Sequence, residues 1–329
     1  MGTDASIDAG AVLAAVRAMG VACEAGVPLG PLTWYGVGGC AEVLARPTDV
    51  AQLQAVARYC DGQGLPLRVM GKGANLLVAD EGVDGVVVLL NSPAFQQIEI
   101  DGEAATVTAG GGANLERVIT STVREGLAGL ETLAGIPATV GGAIRMNAGG
   151  SFGQIADTLE TVTLMNGDGS LTEVAADELE LSYRHSNIGE RIVVEATFAL
   201  KAVADRAALR DRLKQVMRYK KESQPMAAQS AGCAFKNPPS EVSDGRGAGK
   251  LIDEAGLKGL RIGGAEVSNR HANFIVTHEG AQANDILKVM NAVQQRVAEK
   301  FNIKLEREVV VWPPTPPTPP HLFPTVNNH

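Results

Sequence analysis

Between residues 126 and 150 the chain reads GLAGLETLAGIPATVGGAIRMNAGG, seven glycines and one proline among mostly apolar residues. No other stretch constrains the fold as tightly. Clustered glycine lets backbone turn sharply or approach a ligand closely, and it weakens helix and strand propensity. So apolar a segment is not a solvated linker. It reads either as buried backbone wrapped around a flat or extended ligand, or as a structural crossover. Two more glycine turns lie upstream: Gly71-Lys72-Gly73-Ala74-Asn75-Leu76 after a strand pattern, and TAGGGANL (108–115) between a strand and a helix pattern. Small residues there would let backbone N–H groups converge on a phosphate. The first turn lacks the third glycine and the following helix of a dinucleotide fingerprint. GAGKL (247–251) lacks both the early glycine and the Ser/Thr of a P-loop. A tight turn explains 71–76 as well as a phosphate loop does. Three such turns in one region suggest a single large ligand carrying phosphates.

The length, 329 residues, suits two or three domains, and 45% hydrophobic against 20% charged residues is enough to build sizeable cores. A net charge of −8 without a basic run, and only 4% aromatic residues, argue against a nucleic-acid binder. No run of 18 apolar residues predicts a membrane helix. The N-terminus lacks the basic-then-apolar pattern of a secretion signal. It matches a myristoylation pattern at Gly2 and Ser6, but no basic patch supports an anchor. Cys23, Cys40, Cys60 and Cys233 form no CxxC pair, and their spacing suits neither a zinc site nor a disulfide framework. The expectation is a cytoplasmic chain with no metal, no membrane, no nucleic acid and no obligate protein partner.

Periodicity predicts a short helix over 8–19. A strand over 41–47 follows, then a helix capped by Thr48-Asp49 and ended by glycine, and strands at 66–71 and 85–90. Hairpins are expected over 98–112 and 161–174, a helix capped by Asn114 to 126, and an alternating strand over 191–200. From 204 a charged helix of about five turns runs to Pro225 and leads into a second α+β unit. That unit ends in a strand, LEREVVVW, whose alternation puts Glu306 and Glu308 on one face. The proline-rich 313–329 reads as a disordered, solvated tail. Taken singly, Arg184 in YRHS reads as an exposed ion-pairing residue and Cys233 in SAGCAFKNP as a small buried hydrophobe.

In order, WYGVGG, GKGANLLVAD, TAGGGANL, LAGIPATVGGAIRMNAG, YRHS, SAGCAFKNP, AGKLIDEAGLKG, GGAEVSNRHANFIV and LEREV resemble the UDP-N-acetylenolpyruvoylglucosamine reductase (MurB) family, over about residues 31–312. The resemblance implies an α+β fold. A two-part FAD-binding domain of the vanillyl-alcohol-oxidase (PCMH) type would cover 1–203, with subdomains of about 20–90 and 91–203. A smaller α+β substrate-binding domain would cover 204–312. It implies noncovalent FAD with NADPH as hydride donor, and reduction of UDP-N-acetylglucosamine enolpyruvate to UDP-N-acetylmuramate for peptidoglycan synthesis. Few residues separate the 191–200 strand from the next helix, which suggests the family's second type, without a tyrosine-lid insertion.

By the same resemblance, Gly71, Gly73, Ala74, Asn75 and Leu76 would line the FAD pyrophosphate. Gly135, Ile136, Pro137, Gly141, Gly142, Ile144 and Asn147 would pass near the flavin and its ribityl chain. Arg184 matches the family's catalytic arginine and would grip the substrate carboxylate. Glu308 matches its catalytic glutamate and is expected to have a raised pKa through burial. Cys233 stands where the family's proton donor is commonly serine, and as a thiol would be oxidisable if exposed. Lys221, Lys236 and Asn237 would contact the diphosphate and sugar, with His271 and Tyr183 as further substrate contacts. Two other readings remain at this level: an FAD-dependent oxidase of a hydroxylated small molecule on the same fold, and a non-enzymatic flavin-binding sensor.

Overall fold

The computed structural model describes residues 8–225 and 228–312. The myristoylation pattern and the proline-rich 313–329 lie outside the described residues. Two sheets carry the first two-thirds of the chain. The first orders β1 (Ala22–Pro28), β2 (Cys40–Arg46), β5 (Val83–Leu89) and β3 (Leu67–Met70), with β2, β5 and β3 parallel and β1 antiparallel. The second is antiparallel and orders β12 (Leu171–Ala175), β11 (Leu159–Met165), β13 (Ile192–Ala199), β7 (Thr106–Gly110) and β6 (Ile98–Asp101).

Local chemistry sets the helix ends. In α2 (Val50–Gln63) the Asp49 carboxylate accepts the Gln52 N–H, and Gly64 closes the helix in the left-handed region. In α3 (Leu115–Glu125) Asn114 and Gly126 play the same parts. α1 (Ala9–Ala18) and α2 cover the first sheet through Val12, Val16, Leu53, Val56 and Cys60, and Met165 and Ile192 of the second sheet enter the same core. α3 and α4 (Val140–Arg145) cover the second sheet. A short pairing of β8 (Leu127–Ala128) with β14 (Lys201–Ala202) and a hairpin of β9 (Gly149–Gly150) with β10 (Gly153–Gln154) lie between.

α5 (Arg206–Ser223) leaves this region, yet its Leu209 and Leu213 pack into the second sheet's core. The last unit holds α6 (Ser240–Ser243), α7 (Ala248–Glu254), a small sheet of β15 (Arg261–Ile262), β16 (Ala265–Val267) and β17 (Ile275–Thr277), and α8 (Ala283–Phe301). Its core takes in Tyr35 and Leu77 from the first region. The Asp80 carboxylate accepts the Ala283 and Asn284 N–H groups at the start of α8.

The predicted final strand is shorter than its sequence pattern. Only β18 (Val310–Trp312) is strand, and it runs parallel to β4 (Leu76–Val78), with Val310 opposite Leu76. Before it, residues 306–308 meet 234–236 through a single bridge. Residues 310–312 are thus brought to the glycine loop at 71–75. Among the described residues no helix is long and apolar enough to cross a membrane.

Candidate active site

β3 ends at Met70 and delivers the loop 71–75 beside the glycine-dense segment: a Cβ on Gly71 would stand 2.7 Å from Thr139 Oγ1. Gly73 has φ +62°, and a Cβ there would overlap the Leu32 carbonyl oxygen, so only glycine fits. Among the described residues the N–H groups of Lys72, Gly73 and Ala74 find no backbone acceptor. A backbone that bends this tightly with its amides unpaired is suited to an anionic, phosphate-bearing group. Across from it, Gly141 donates its N–H to the Gly111 carbonyl and Gly142 to Thr139 Oγ1. Ile136 and Ala138 are held by bonds within 133–138, around Pro137. A Cβ on Gly142 would meet nothing but Thr139 Oγ1 within 4 Å.

Several of the residues expected at the cofactor also hold the protein itself together. Leu76 is buried at the start of β4. Asn75 Nδ2 donates to the Glu308 carbonyl at 3.2 Å. Ile144 is fully buried in the second-sheet core, so its side chain faces away from any ligand. Asn147 is fully buried: its Nδ2 donates to Gln154 Oε1 and the Ser182 carbonyl, and its Oδ1 accepts the Ala156 N–H. The third glycine turn is also structural. A Cβ on Gly110, Gly111 or Gly112 would overlap the carbonyl oxygens of Phe95, Val193 and Leu90, so these glycines let three backbones cross.

Arg184, Glu308 and Cys233, far apart in sequence, meet next to this loop. Arg184 sits at φ +54°, unusual for a residue with a side chain. Its Nε donates to Glu308 Oε1 at 2.5 Å, and its Nη2 to the Gly149 carbonyl at 2.9 Å. The two side chains are only 18% and 12% exposed. Burial raises the Glu308 carboxyl, while Arg184 first and Lys236 second pull it down. Tyr183 lies under the Arg184 guanidinium, 5.0 Å from ring centroid to Cζ, and its hydroxyl accepts the Asn237 N–H.

Glu308 is placed by the chain opposite: its N–H donates to the Ala234 carbonyl, and Lys236 N–H to the Glu306 carbonyl. Asn273 fixes the Cys233 loop, accepting the Phe235 N–H on Oδ1 and the Ala234 N–H on its own carbonyl, and donating to the Phe235 carbonyl. The Cys233 thiol is pushed up to about 12, mainly by burial and then by Glu308, against Arg184 and a hydrogen bond with Asn273. It is therefore protonated, and the oxidisable thiolate expected for an exposed position is suppressed.

The expected substrate contacts divide. Lys236 reaches Glu306, which is largely exposed at the rim. The Asn237 side-chain oxygen accepts the Ala248 N–H at the start of α7, so it holds a helix end. His271 packs edge-on against Phe274, its Nδ1 accepts the Asn273 N–H, and burial lowers its pKa. These contacts tie it to α7 and the Asn273 turn and not to the Arg184–Glu308 pair.

Among the described residues Lys221 keeps its ammonium uncommitted to the protein. It is exposed, and only its carbonyl is held, by Arg270. Its neighbour Lys220 turns inward, 9% exposed, with its pKa lowered to about 8 by burial and by Arg184. The signal was in the sequence: Leu209, Leu213, Val216 and Lys220 fall at helical spacing, so the buried stripe of α5 ends on a lysine. Tyr35, whose hydroxyl is buried without a hydrogen-bond partner close to Cys233, left no such signal.

Residues 224–312 match the family model of the UDP-N-acetylenolpyruvoylglucosamine reductase C-terminal domain, and residues 41–175 that of an FAD binding domain. A UDP-N-acetylenolpyruvoylglucosamine reductase of Heliobacterium modesticaldum is 41% identical over 86% of this chain and 88% of its own length. A second such reductase, from Symbiobacterium thermophilum, is 39% identical over 89% and 93%. The crystal structure of the reductase from Thermus caldophilus superposes with a TM-score of 0.74 at 40% identity, covering 89% of this chain and 99% of that one.

Proposed function

The chain belongs to the UDP-N-acetylenolpyruvoylglucosamine reductase family, and from its cleft we propose how its own residues carry out the family's FAD- and NADPH-dependent reduction. It is an oxidoreductase acting on UDP-N-acetylglucosamine enolpyruvate in peptidoglycan precursor synthesis. The residues present suit FAD: a loop with unpaired amides for its pyrophosphate, and Gly142, whose Cβ position would meet only Thr139 Oγ1. When bound and reduced by NADPH, FAD supplies hydride to C3 of the enolpyruvyl group.

The chain's own side chains manage the charge and the proton of that transfer. Negative charge develops on C2 and on the substrate carboxylate, and the site must hold it. Of five N–H donors on an arginine, Arg184 uses two on Glu308 and Gly149, leaving three to grip the carboxylate. Glu308, its carboxyl raised by burial against the pull of Arg184, lies where a proton on it would meet the developing enolate. Cys233, held as a thiol, gives its proton to C2 and is recharged before the next turnover. The product is the lactyl ether, UDP-N-acetylmuramate.

Residues 1–203 act as the cofactor half and 204–312 as the substrate half, with α5 packing its Leu209 and Leu213 into the second sheet's core. β13 ends at Ala199 and α5 starts at Arg206, with only β14 between. The short link supports the second type of the family, with no tyrosine lid inserted there. A cytoplasmic location fits a small-molecule substrate and a reduced thiol at the site.

The observation that carries this reading is the junction at Asn75, which joins the phosphate loop to the Glu308 carbonyl and so sets the acid–arginine pair beside the cofactor. An anaerobic titration tests it. The purified protein should show noncovalent flavin absorption that NADPH bleaches, and the enolpyruvyl substrate should restore it. Bleaching without restoration would remove the substrate assignment.

A further inference from the structure

Lys220 is a largely buried lysine whose ammonium tip stays open and has no protein partner among the described residues. It is 9% exposed, and no hydrogen bond or ion pair reaches its Nζ among the described residues. Its stem crosses Gly135, where a Cβ would stand 3.0 Å from Lys220 Cδ and 3.1 Å from Met217 Sδ. Gly135, at φ +76°, thus leaves the space that lets the stem lie against the backbone. Arg184 is close enough to repel the ammonium electrostatically. The one buried carboxylate of the cluster, Glu308, is already taken by the Arg184 Nε. Two cations therefore stand within electrostatic reach of each other with one committed counter-charge, and a largely desolvated charge without a partner is costly.

We propose that Lys220 is a second contact for the substrate carboxylate, receiving one carboxylate oxygen while Arg184 receives the other. This rests on the reductase reading of the site. As hydride reaches C3, the charge that flows toward the carboxylate strengthens both contacts, so Lys220 binds the ground state and holds the enolate better still. Depression of the amine by burial and by Arg184 fits the role, because an arriving carboxylate restores its charge.

The test separates the carboxylate from the rest of the nucleotide. UDP-N-acetylmuramate carries the carboxylate; UDP-N-acetylglucosamine has the same diphosphate and sugar without it. Their dissociation constants are read from perturbation of the bound flavin spectrum in the wild-type, Lys220→Met and Lys220→Arg holoenzymes. Lys220→Met should weaken UDP-N-acetylmuramate about 10- to 100-fold and leave UDP-N-acetylglucosamine unchanged, with Lys220→Arg recovering part of the loss. Equal weakening of both nucleotides would move the contact to the diphosphate and overturn the proposal. Unchanged affinities with a shifted potential of the bound FAD would overturn it too, placing the ammonium at the cofactor. FAD content and bleaching by NADPH, measured on the same samples, report the reductase reading separately.

Discussion

Iodoacetamide should alkylate Cys233 of the native protein far more slowly than the same cysteine in the denatured chain. Burial and the neighbouring Glu308 hold the thiol near 12 against an ordinary value of 9.0. Three units leave about a thousandfold less thiolate at neutral pH, and the thiolate is the nucleophile. A more basic thiolate is intrinsically more reactive, by roughly 20- to 30-fold over three units at a Brønsted slope near 0.45. The net expectation is alkylation slowed roughly 30- to 60-fold, before any loss of access. Peptide mass spectrometry over time reads each cysteine separately, and exposed Cys40 serves as the control that the reagent is active. Cys233→Ser should retain reductase turnover, whereas Cys233→Ala should lose about 10²- to 10⁴-fold if the position delivers the proton. Native alkylation of Cys233 at the denatured rate would refute the raised-thiol argument for this half-buried residue. Cys233→Ala at wild-type turnover would refute the donor role.

Three further changes probe the frame around the site. Gly73→Ala forces a side chain into a left-handed position against the Leu32 carbonyl. It should cost about 1–3 kcal/mol and lower both the melting temperature and the FAD content; wild-type values for both would sink the cradle assignment. Asn75→Ala removes the donor to the Glu308 carbonyl. It should cost about 1–3 kcal/mol and lower kcat more than it raises KM, and steady-state kinetics showing the reverse would count against it. Lys220→Met removes an amine whose folded value, about 8, lies below its ordinary 10.5. The unfolded chain then binds more protons between those two values, so wild-type stability rises with pH across that window. The variant should therefore be the more stable by about 3 kcal/mol at pH 7, an advantage that fades by the upper limit. Denaturant melts at several pH values with a constant difference would contradict this.

Elements with strong local signals were readable from sequence. Asp49 and Gly64 bound α2 where capping chemistry puts them, and Asn114 and Gly126 do the same for α3. The hairpins and the long β13 follow from alternation. Interactions between distant segments were not readable. Composition makes Gly110–Gly112 look like a third phosphate turn, because glycine that meets a ligand and glycine that meets another backbone have the same letter. Only the positions of the Phe95, Val193 and Leu90 carbonyls tell them apart. Asn75 and Asn237 look like ligand contacts for a similar reason. Each carries a side-chain amide, and each spends one hydrogen bond on a backbone group brought from elsewhere in the chain, which the sequence does not show. Lys220 is legible only through helix phase, because the stripe through Leu209, Leu213 and Val216 turns it inward while its neighbour Lys221 faces out.

The opposing influences on Glu308 imply that substrate binding loads a proton onto the site. In the free enzyme, burial raises the carboxyl while Arg184 and, less strongly, Lys236 lower it. A substrate carboxylate on Arg184 adds a negative charge beside Glu308 and competes for the guanidinium that stabilises its ionised form. Both changes disfavour the carboxylate, so its pKa rises further in the complex. The proton needed to meet the developing enolate would thus arrive with the ligand that requires it. Adding UDP-N-acetylmuramate to the holoenzyme in weak buffer, stepped through the acidic pH range, should therefore take up protons; Lys220, held near 8, is already charged there and contributes little. Uptake should vanish in Glu308→Gln and with UDP-N-acetylglucosamine, which brings no carboxylate. Uptake that persists in Glu308→Gln would mean that another group takes the proton. No uptake in the wild type would mean that Arg184 serves the substrate without giving up Glu308.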